Sequence, residues 1–409
     1  MRRQMTAVGA TLTACGLIFG TAGLVASAAT PQTSQANAAL RYLYAQEGTD
    51  GSIAGSMGAT EDTVISDADN GYDPATLKNS SSGTSAYDYL SAHVSTITTA
   101  GGAAKYILAW VAAGKPAAID GTALLSKLNT ATGAGGYLEP NGAFHNANPT
   151  VETANAFSQS LAVLADVAAG HLPLPANATR WLTCAQRSGG GFGYAINDTV
   201  TLPAPCGDTS SDSNDTAIIL EALGAAGITS ADSAAETYLR SIQQTSGGFG
   251  FSAGPTDPDS DAGVIQALVA VSQDPTGTAW TTAGGGNPLK DMESFADAQG
   301  SGGYVFPENS GPDAFTTSGI PQALALKPYV AATVVAAGTS PPPAVTTTPS
   351  PSPSPTATAA ARGSAAITVP STGASVGSGP GVGLSLALIG LGALALAAAR
   401  LGRRPSSAP

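Results

Sequence analysis

A Gly-Gly-aromatic phrase returns four times along this chain, with its aromatics at Tyr137, Phe192, Phe249 and Tyr304, spaced 55, 57 and 55 residues apart. Self-similarity at a fixed period of this size marks a repeat architecture. One unit cannot bury its own apolar face, so neighbouring units must stack. An amphipathic stretch precedes each phrase and ends in or near Gln. The clear copies run from Trp181 to Gln186, from Tyr238 to Gln243 and from Phe295 to Gln299, and a fainter one starts at Leu124. Apolar residues at i, i+3 and i+4 predict helices there. The glycine pair is expected to end each helix, because glycine accepts the left-handed conformation common at helix C-termini. Gln186 and Gln243 each lie six residues before their Phe, whereas Gln299 lies five before Tyr304.

After a variable acidic loop comes a second, Ala-rich segment that starts on a hydroxyl or carboxylate, near Thr150, Ser213, Ser260 and Asp313. Such oxygens accept the free amide N–H groups of a first helical turn. These segments are apolar nearly all round and are expected to be buried, with the more charged Gln-ended helices outside them. The prediction is an all-α domain over residues 30–335, a double ring of five to six helix pairs. Residues 54–84 show no clear first inner helix and are left as either a helix pair or a long loop over the mouth of the ring.

A Leu and a Gln four residues apart, Gly-Gly-Phe-Gly, an acidic loop and then Asp215-Thr216-Ala217 at the head of an inner helix together resemble the prenyltransferase and squalene-cyclase repeat. The resemblance covers about residues 100–330 and implies an α/α toroid. The stretch from Ala103 to Leu128 is most similar to the cobalamin-carrier branch (intrinsic factor and transcobalamin) and its bacterial surface relatives, which implies a corrinoid as one ligand. Those carriers complete their site with a small β-domain, where this chain continues into a Pro/Thr-rich linker.

The ends read as targeting segments. Residues 1–29 carry Arg2 and Arg3, an apolar run and Ala26-Ser27-Ala28, as in a secretory signal peptide. Residues 336–368 form a Pro/Ser/Thr-rich linker, extended and semi-rigid. Residues 369–409 resemble a sortase sorting signal of the Leu-Pro-x-Thr-Gly type, with Pro370, Thr372 and Gly373 in place and Val369 where Leu is usual. An apolar segment, 382–399, follows; as a helix it would be roughly 27 Å long, just enough to span hydrocarbon, and Arg400, Arg403 and Arg404 come after it. The resemblance implies export, display at the cell surface on wall or membrane, and sortase with a cell-wall precursor as partners.

All 28 acidic residues fall between these ends, while six of the 16 basic ones (Arg2, Arg3, Arg362, Arg400, Arg403 and Arg404) lie within them. The body therefore carries 18 net negative charges, which excludes nucleic acid as a partner and suits cations or a cationic ligand. Of three cysteines, Cys184 and Cys206 remain after signal removal, and an exported pair is expected to form a disulfide.

Four kinds of chemistry were weighed. A squalene-type cyclase needs a buried Asp-x-Asp-Asp acid; the strings Asp257-Pro-Asp259-Ser-Asp261 and Asp208 to Asp215 do not match it, and they read as hydrated loops that would stay ionised. A zinc prenyltransferase needs clustered ligands, whereas His93, His145 and His171 are scattered. No thioester string occurs. Asp257, Asp259 and Asp261 alternate like the start of an EF-hand but lack its glycine and its final Glu, which leaves calcium only as a brace for that loop. The heads of the inner helices should converge on one mouth, bringing Glu152, Asn155, Asp215, Asp261 and Asp313 to a ligand site, with simple N-capping as the plainer reading of each. The reading is a non-catalytic binding module for a small amphipathic ligand or a surface partner, requiring no cofactor. The alternatives are a terpene-cyclase-like or prenyltransferase-like enzyme and a structural spacer.

Overall fold

The computed structural model describes residues 29–145, 154–207, 210–252, 254–330 and 337–342. Among the described residues there are helices and isolated β-bridges but no strand. The helices alternate between two layers. The outer helices are α1 (Thr33–Ala45), α3 (Ala86–His93), α5 (Thr122–Leu128), α7 (Ala178–Cys184), α9 (Asp232–Ile242) and α11 (Pro288–Ser294). The inner ones are α2 (Met57–Asp69), α4 (Ala100–Ala112), α6 (Ala156–Ala169), α8 (Ser213–Ala225), α10 (Pro258–Ala270) and the broken pair α12 (Ala314–Thr317) and α13 (Ile320–Leu324).

Each inner helix packs on the next, from α2 through α4, α6, α8 and α10 to α13, and α13 returns to α2. The ring is therefore closed with six units, an α/α toroid. Outer helices cover the seams: α5 touches α4 and α6, α7 touches α6 and α8, and α1 touches α13, α12 and α2.

All six inner helices begin on a side-chain cap. Ser56, Thr99, Asn155, Asp212, Asp257 and Asp313 each accept the N–H of the residue three positions on. Each such cap is worth about 1 kcal/mol.

The repeat phrase proves to be a clamp on these helix heads. Phe192 donates its N–H to Thr216 Oγ1 at 3.0 Å, and its carbonyl accepts from Asp212 N at 3.0 Å. Phe249 makes the same pair with Asp261 Oδ1 at 2.7 Å and Asp257 N at 3.0 Å. Tyr304 repeats it with Thr317 Oγ1 at 2.9 Å and Asp313 N at 3.3 Å. The first unit carries a copy that the sequence conceals: Ile53 N donates to Thr60 Oγ1 at 2.9 Å, and Ser56 N donates to Ile53 O at 3.0 Å. Around α6 the clamp falls to Phe144, which donates to Gln159 Oε1 at 2.8 Å, and not to Tyr137. All of these aromatics are buried.

Two expectations are corrected. The glycine pair does not end the outer helices: α7 stops at Cys184 and α9 at Ile242, both before their glycines. The glycines instead let the next outer helix approach. A Cβ on Gly190, at φ +92°, would lie 2.1 Å from Ala234 O of α9, and one on Gly302, at φ +90°, would lie 2.3 Å from Ala38 O of α1. The last unit thus closes on the first. Residues 54–84 do contain the missing inner helix, α2, concealed because four carboxylates in it (Glu61, Asp62, Asp67 and Asp69) are buried. Apolar periodicity cannot register a helix whose buried positions are acidic.

The repeat Gln ties neighbouring units. Gln186 Nε2 donates to Gly190 O at 3.0 Å and to Ala231 O at 2.9 Å. Gln243 Nε2 reaches Gly247 O at 2.7 Å and Trp280 O at 2.8 Å. Gln299, one residue out of register, is exposed instead. Cys184 and Cys206 are bridged, with Cα atoms 5.3 Å apart, pinning the loop before α8 to α7 as expected. The signal segment up to residue 28, Glu152, the linker from 343 on, Pro370, Thr372, Gly373 and the apolar run 382–399 lie outside the described residues. Among the described residues no helix is long and apolar enough to cross a membrane.

Candidate functional site

The ring encloses a cavity of about 60 Å³, to which all six inner units contribute. Its mouth is formed by helix heads: Gly58 of α2, Phe157 of α6, Asn214 of α8, Asp259 of α10, and Phe315 and Thr316 of α12. Ala217, Ile218, Ala262 and Gly263 supply apolar wall, and Asp62, Lys105, Glu221 and Gln266 line it more deeply. Tyr329, in the segment after α13, fills the end away from the helix heads. Its N–H donates to Glu221 Oε1 at 2.6 Å, and its hydroxyl donates to Asp62 Oδ1 at 3.4 Å. Among the described residues Tyr329 closes that end of the cavity.

The interior is acidic. Lys105 Nζ pairs with Asp62 Oδ2 at 2.7 Å, both side chains buried. A buried lysine needs such a partner, because an isolated ammonium in a low-dielectric interior is very costly. Burial pushes the Glu221 carboxyl up to about 8 despite the Tyr329 N–H bond, which acts the other way. Asp259 is held well above the ordinary carboxylate range, first by burial and then by Asp257, Asp313 and Asp62 around it. No side chain of the described residues hydrogen-bonds it. It lines the cavity, where burial and like charges both favour its neutral form.

The candidates read from the sequence are placed differently. Asn155 Oδ1 accepts from Ser158 N at 2.7 Å, and Asp313 Oδ1 accepts from Thr316 N at 2.8 Å, so both are caps. Asp215 is buried in the first turn of α8, its N–H donating to Asp212. Asp261 points away from the cavity, to Phe249 N and toward Asp291 of α11. The rim is instead lined by their neighbours Asn214, Asp259 and Thr316. The reading of Asp257, Asp259 and Asp261 as hydrated loop acids is corrected: Asp257 caps α10 and the other two lie in its first turn, with Asp257 and Asp261 buried and Asp259 half-buried. They also diverge: Asp257 takes Ser260 N and Oγ, each at 2.8 Å, Asp259 faces the cavity and Asp261 faces the outer layer. Among the described residues no three His, Cys, Asp or Glu side chains are arranged to hold a metal.

Asp62, Lys105, Glu221, Gln266 and Tyr329 were missed in the sequence. Two signals pointed to them. Lys105 is a lone charge inside Ala-Ala-Lys-Tyr-Ile-Leu-Ala-Trp, and Met57–Asp69 carries four acids and no base. A charge within an apolar helix calls for a buried partner.

The fold and cavity define an α/α toroid with a central pocket. Among solved structures the chain is similar to the type II terpene cyclase MstE from Scytonema, at 14% identity and a TM-score of 0.49 over 72% of this chain and 97% of that one. It is also similar to an inactive variant of the α-1,6-mannanase GH76A of Salegentibacter sp. HEL1_6, at 12% identity and a TM-score of 0.48 over 73% and 100%. A third likeness is to ent-copalyl diphosphate synthase from Streptomyces platensis, at 14% identity and a TM-score of 0.44 over 66% and 50%. The architecture assigned here rests on the closed ring itself, and likenesses this distant transfer no activity. No family model matches the chain, and no curated protein matches it in sequence.

Proposed function

We propose that this protein is a binding module that holds a small amphipathic ligand in the central cavity of its ring, without catalysing a reaction on it. The observation that carries the reading is the central cavity itself, lined by all six inner units, with apolar walls and a few buried polar groups to orient a guest. A corrinoid is one finer form of this reading, and a protein or glycan at the mouth is another. The reading includes export and display at the cell surface. The N-terminal apolar run, the sorting-signal-like Val369–Gly373 and the Cys184–Cys206 bridge support it, since disulfides persist in oxidising compartments.

Native mass spectrometry of the secreted full chain tests the reading. A bound mass that disappears in Gly319→Leu and Gly263→Leu is the expected result. A Cβ on Gly319 meets nothing within 4 Å, and one on Gly263 meets only Ala217 at 3.9 Å, and both glycines line the cavity, so a side chain can start from either without a clash at its first atom. A ligand retained by both variants places binding elsewhere.

A second reading, acid catalysis of the terpene-cyclase kind, is favoured by one observation. Asp259 lines the cavity, and burial with its acidic neighbours shifts its carboxyl upward, toward the form a proton donor needs. Isoprenoid turnover that Asp259→Asn abolishes would establish it. An inert wild-type chain would remove it.

A further inference from the structure

The cavity wall carries three carboxyl side chains, Asp62, Glu221 and Asp259, and one basic side chain, Lys105. Lys105 is already committed to Asp62 at 2.7 Å. Asp257 and Asp313 stand behind Asp259 and add further negative potential. An anionic ligand would meet several carboxyl groups and no spare cation. Phosphate, diphosphate and carboxylate head groups are therefore disfavoured.

Two further features favour the opposite charge. Gln266 lines the cavity and is only 5% exposed. Among the described residues nothing hydrogen-bonds its side-chain amide, so a buried polar group is left facing the void, and such groups normally find a partner. Phe157 and Phe315 stand at the mouth, and aromatic faces attract organic cations.

We propose that the cavity takes an organic ammonium on an apolar body, its head seated between Asp259 and the Gln266 carbonyl oxygen and its body against Phe157, Phe315 and Ile218. This rests on the cavity-binding reading above and names the ligand class for it. In the empty protein burial and its acidic neighbours oppose ionisation of Asp259. The arriving ammonium supplies the missing positive charge. Asp259 then ionises, one proton leaves to solvent, and no bond in the ligand changes. Affinity should rise with pH as that proton becomes easier to release, then fall once the ligand amine loses its own charge.

The experiment is calorimetric titration of the full chain with three matched probes: octylammonium, octan-1-ol and octanoate. Each is run in two buffers of different ionisation enthalpy. Octylammonium should bind on the order of tenfold or more tighter than octan-1-ol, release about one proton, and leave octanoate the weakest. Asp259→Asn should lose both the preference and the proton release while still binding octan-1-ol, and that retained binding shows that the variant is folded. Equal affinity for ammonium and alcohol, tighter octanoate, or an unchanged preference in Asp259→Asn overturns the ammonium assignment and leaves the cavity reading standing. No binding of any probe overturns both.

Discussion

The backbone N–H of Phe249 and the carboxylate of Asp261, twelve residues apart in the chain, meet at 2.7 Å. In three other units the acceptor at this place is Thr60, Thr216 or Thr317. Asp261 is thus the acidic version of a position that serves the clamp, and it stands beside a second buried acid, Asp291. Burial first, and Asp291 next, push its carboxyl well above the usual 3.8. The native state keeps this proton where the unfolded chain releases it. Stability is therefore full below the unfolded value and is lost as pH rises toward the folded one. Asp261→Asn keeps an acceptor for Phe249 and adds a donor for Asp291. It should raise the melting temperature near pH 7, with the gain vanishing near pH 4, as thermal unfolding at the two pH values would show.

The same sign holds for the chain as a whole. Burial pushes Asp67 up to about 7, Glu47 up to about 8 and Glu221 up to about 8, while of the lowered acids Asp50, Asp88 and Asp120 are exposed and Asp297 is half-buried. Melting temperature should rise as pH falls from about 8 to about 5, the reverse of the usual acid response. A flat or opposite profile by calorimetry would refute the protonated-interior picture.

Ring closure should be sensitive to Gly302. Alanine there would place its Cβ 2.3 Å from Ala38 O at φ +90°, combining a backbone clash with left-handed strain. The cost should be about 3 kcal/mol or more. Gly285→Ala, at φ +80° with nothing within 4 Å, carries only the left-handed penalty and should cost about 1 kcal/mol. Denaturant melts of the pair separate the two contributions.

Gln186 and Gln299 look alike in sequence and should differ on substitution. Gln186→Ala leaves the carbonyls of Gly190 and Ala231 without the side-chain donor that joins two units, at a cost of about 1–2 kcal/mol. Gln299→Ala, at an exposed side chain, should fall within about 0.5 kcal/mol of wild type.

Reduction should weaken the seam between α7 and α8. The Cys184–Cys206 bridge spans 22 residues of sequence, and its loss should cost about 3 kcal/mol through the freedom regained by the unfolded chain. Unfolding with and without reductant, compared with Cys184→Ala/Cys206→Ala, gives the value.

The period of the Gly-Gly-aromatic phrase, the apolar second segments and their Asp or Ser heads were enough to predict a double ring of helices. Capping and helical periodicity are local, and the residues that produce them lie within a turn or two of one another. What the glycines do was misread from sequence, because their contacts are with the following outer helix, about 40 residues on in the case of Gly190 and Ala234 and across the whole ring in the case of Gly302 and Ala38. The first unit escaped notice because Ile53 replaces an aromatic and α2 buries acids where a repeat would place apolar residues. The binding candidates were placed one or two positions from the cavity. Spacing alone shows that a carboxylate heads a helix, but not whether it turns back to cap, as Asp313 does, or inward, as Asp259 does. That choice is made by tertiary packing. The closed ring decides which face of each first turn looks on the cavity, and burial within it decides which carboxyls are shifted upward.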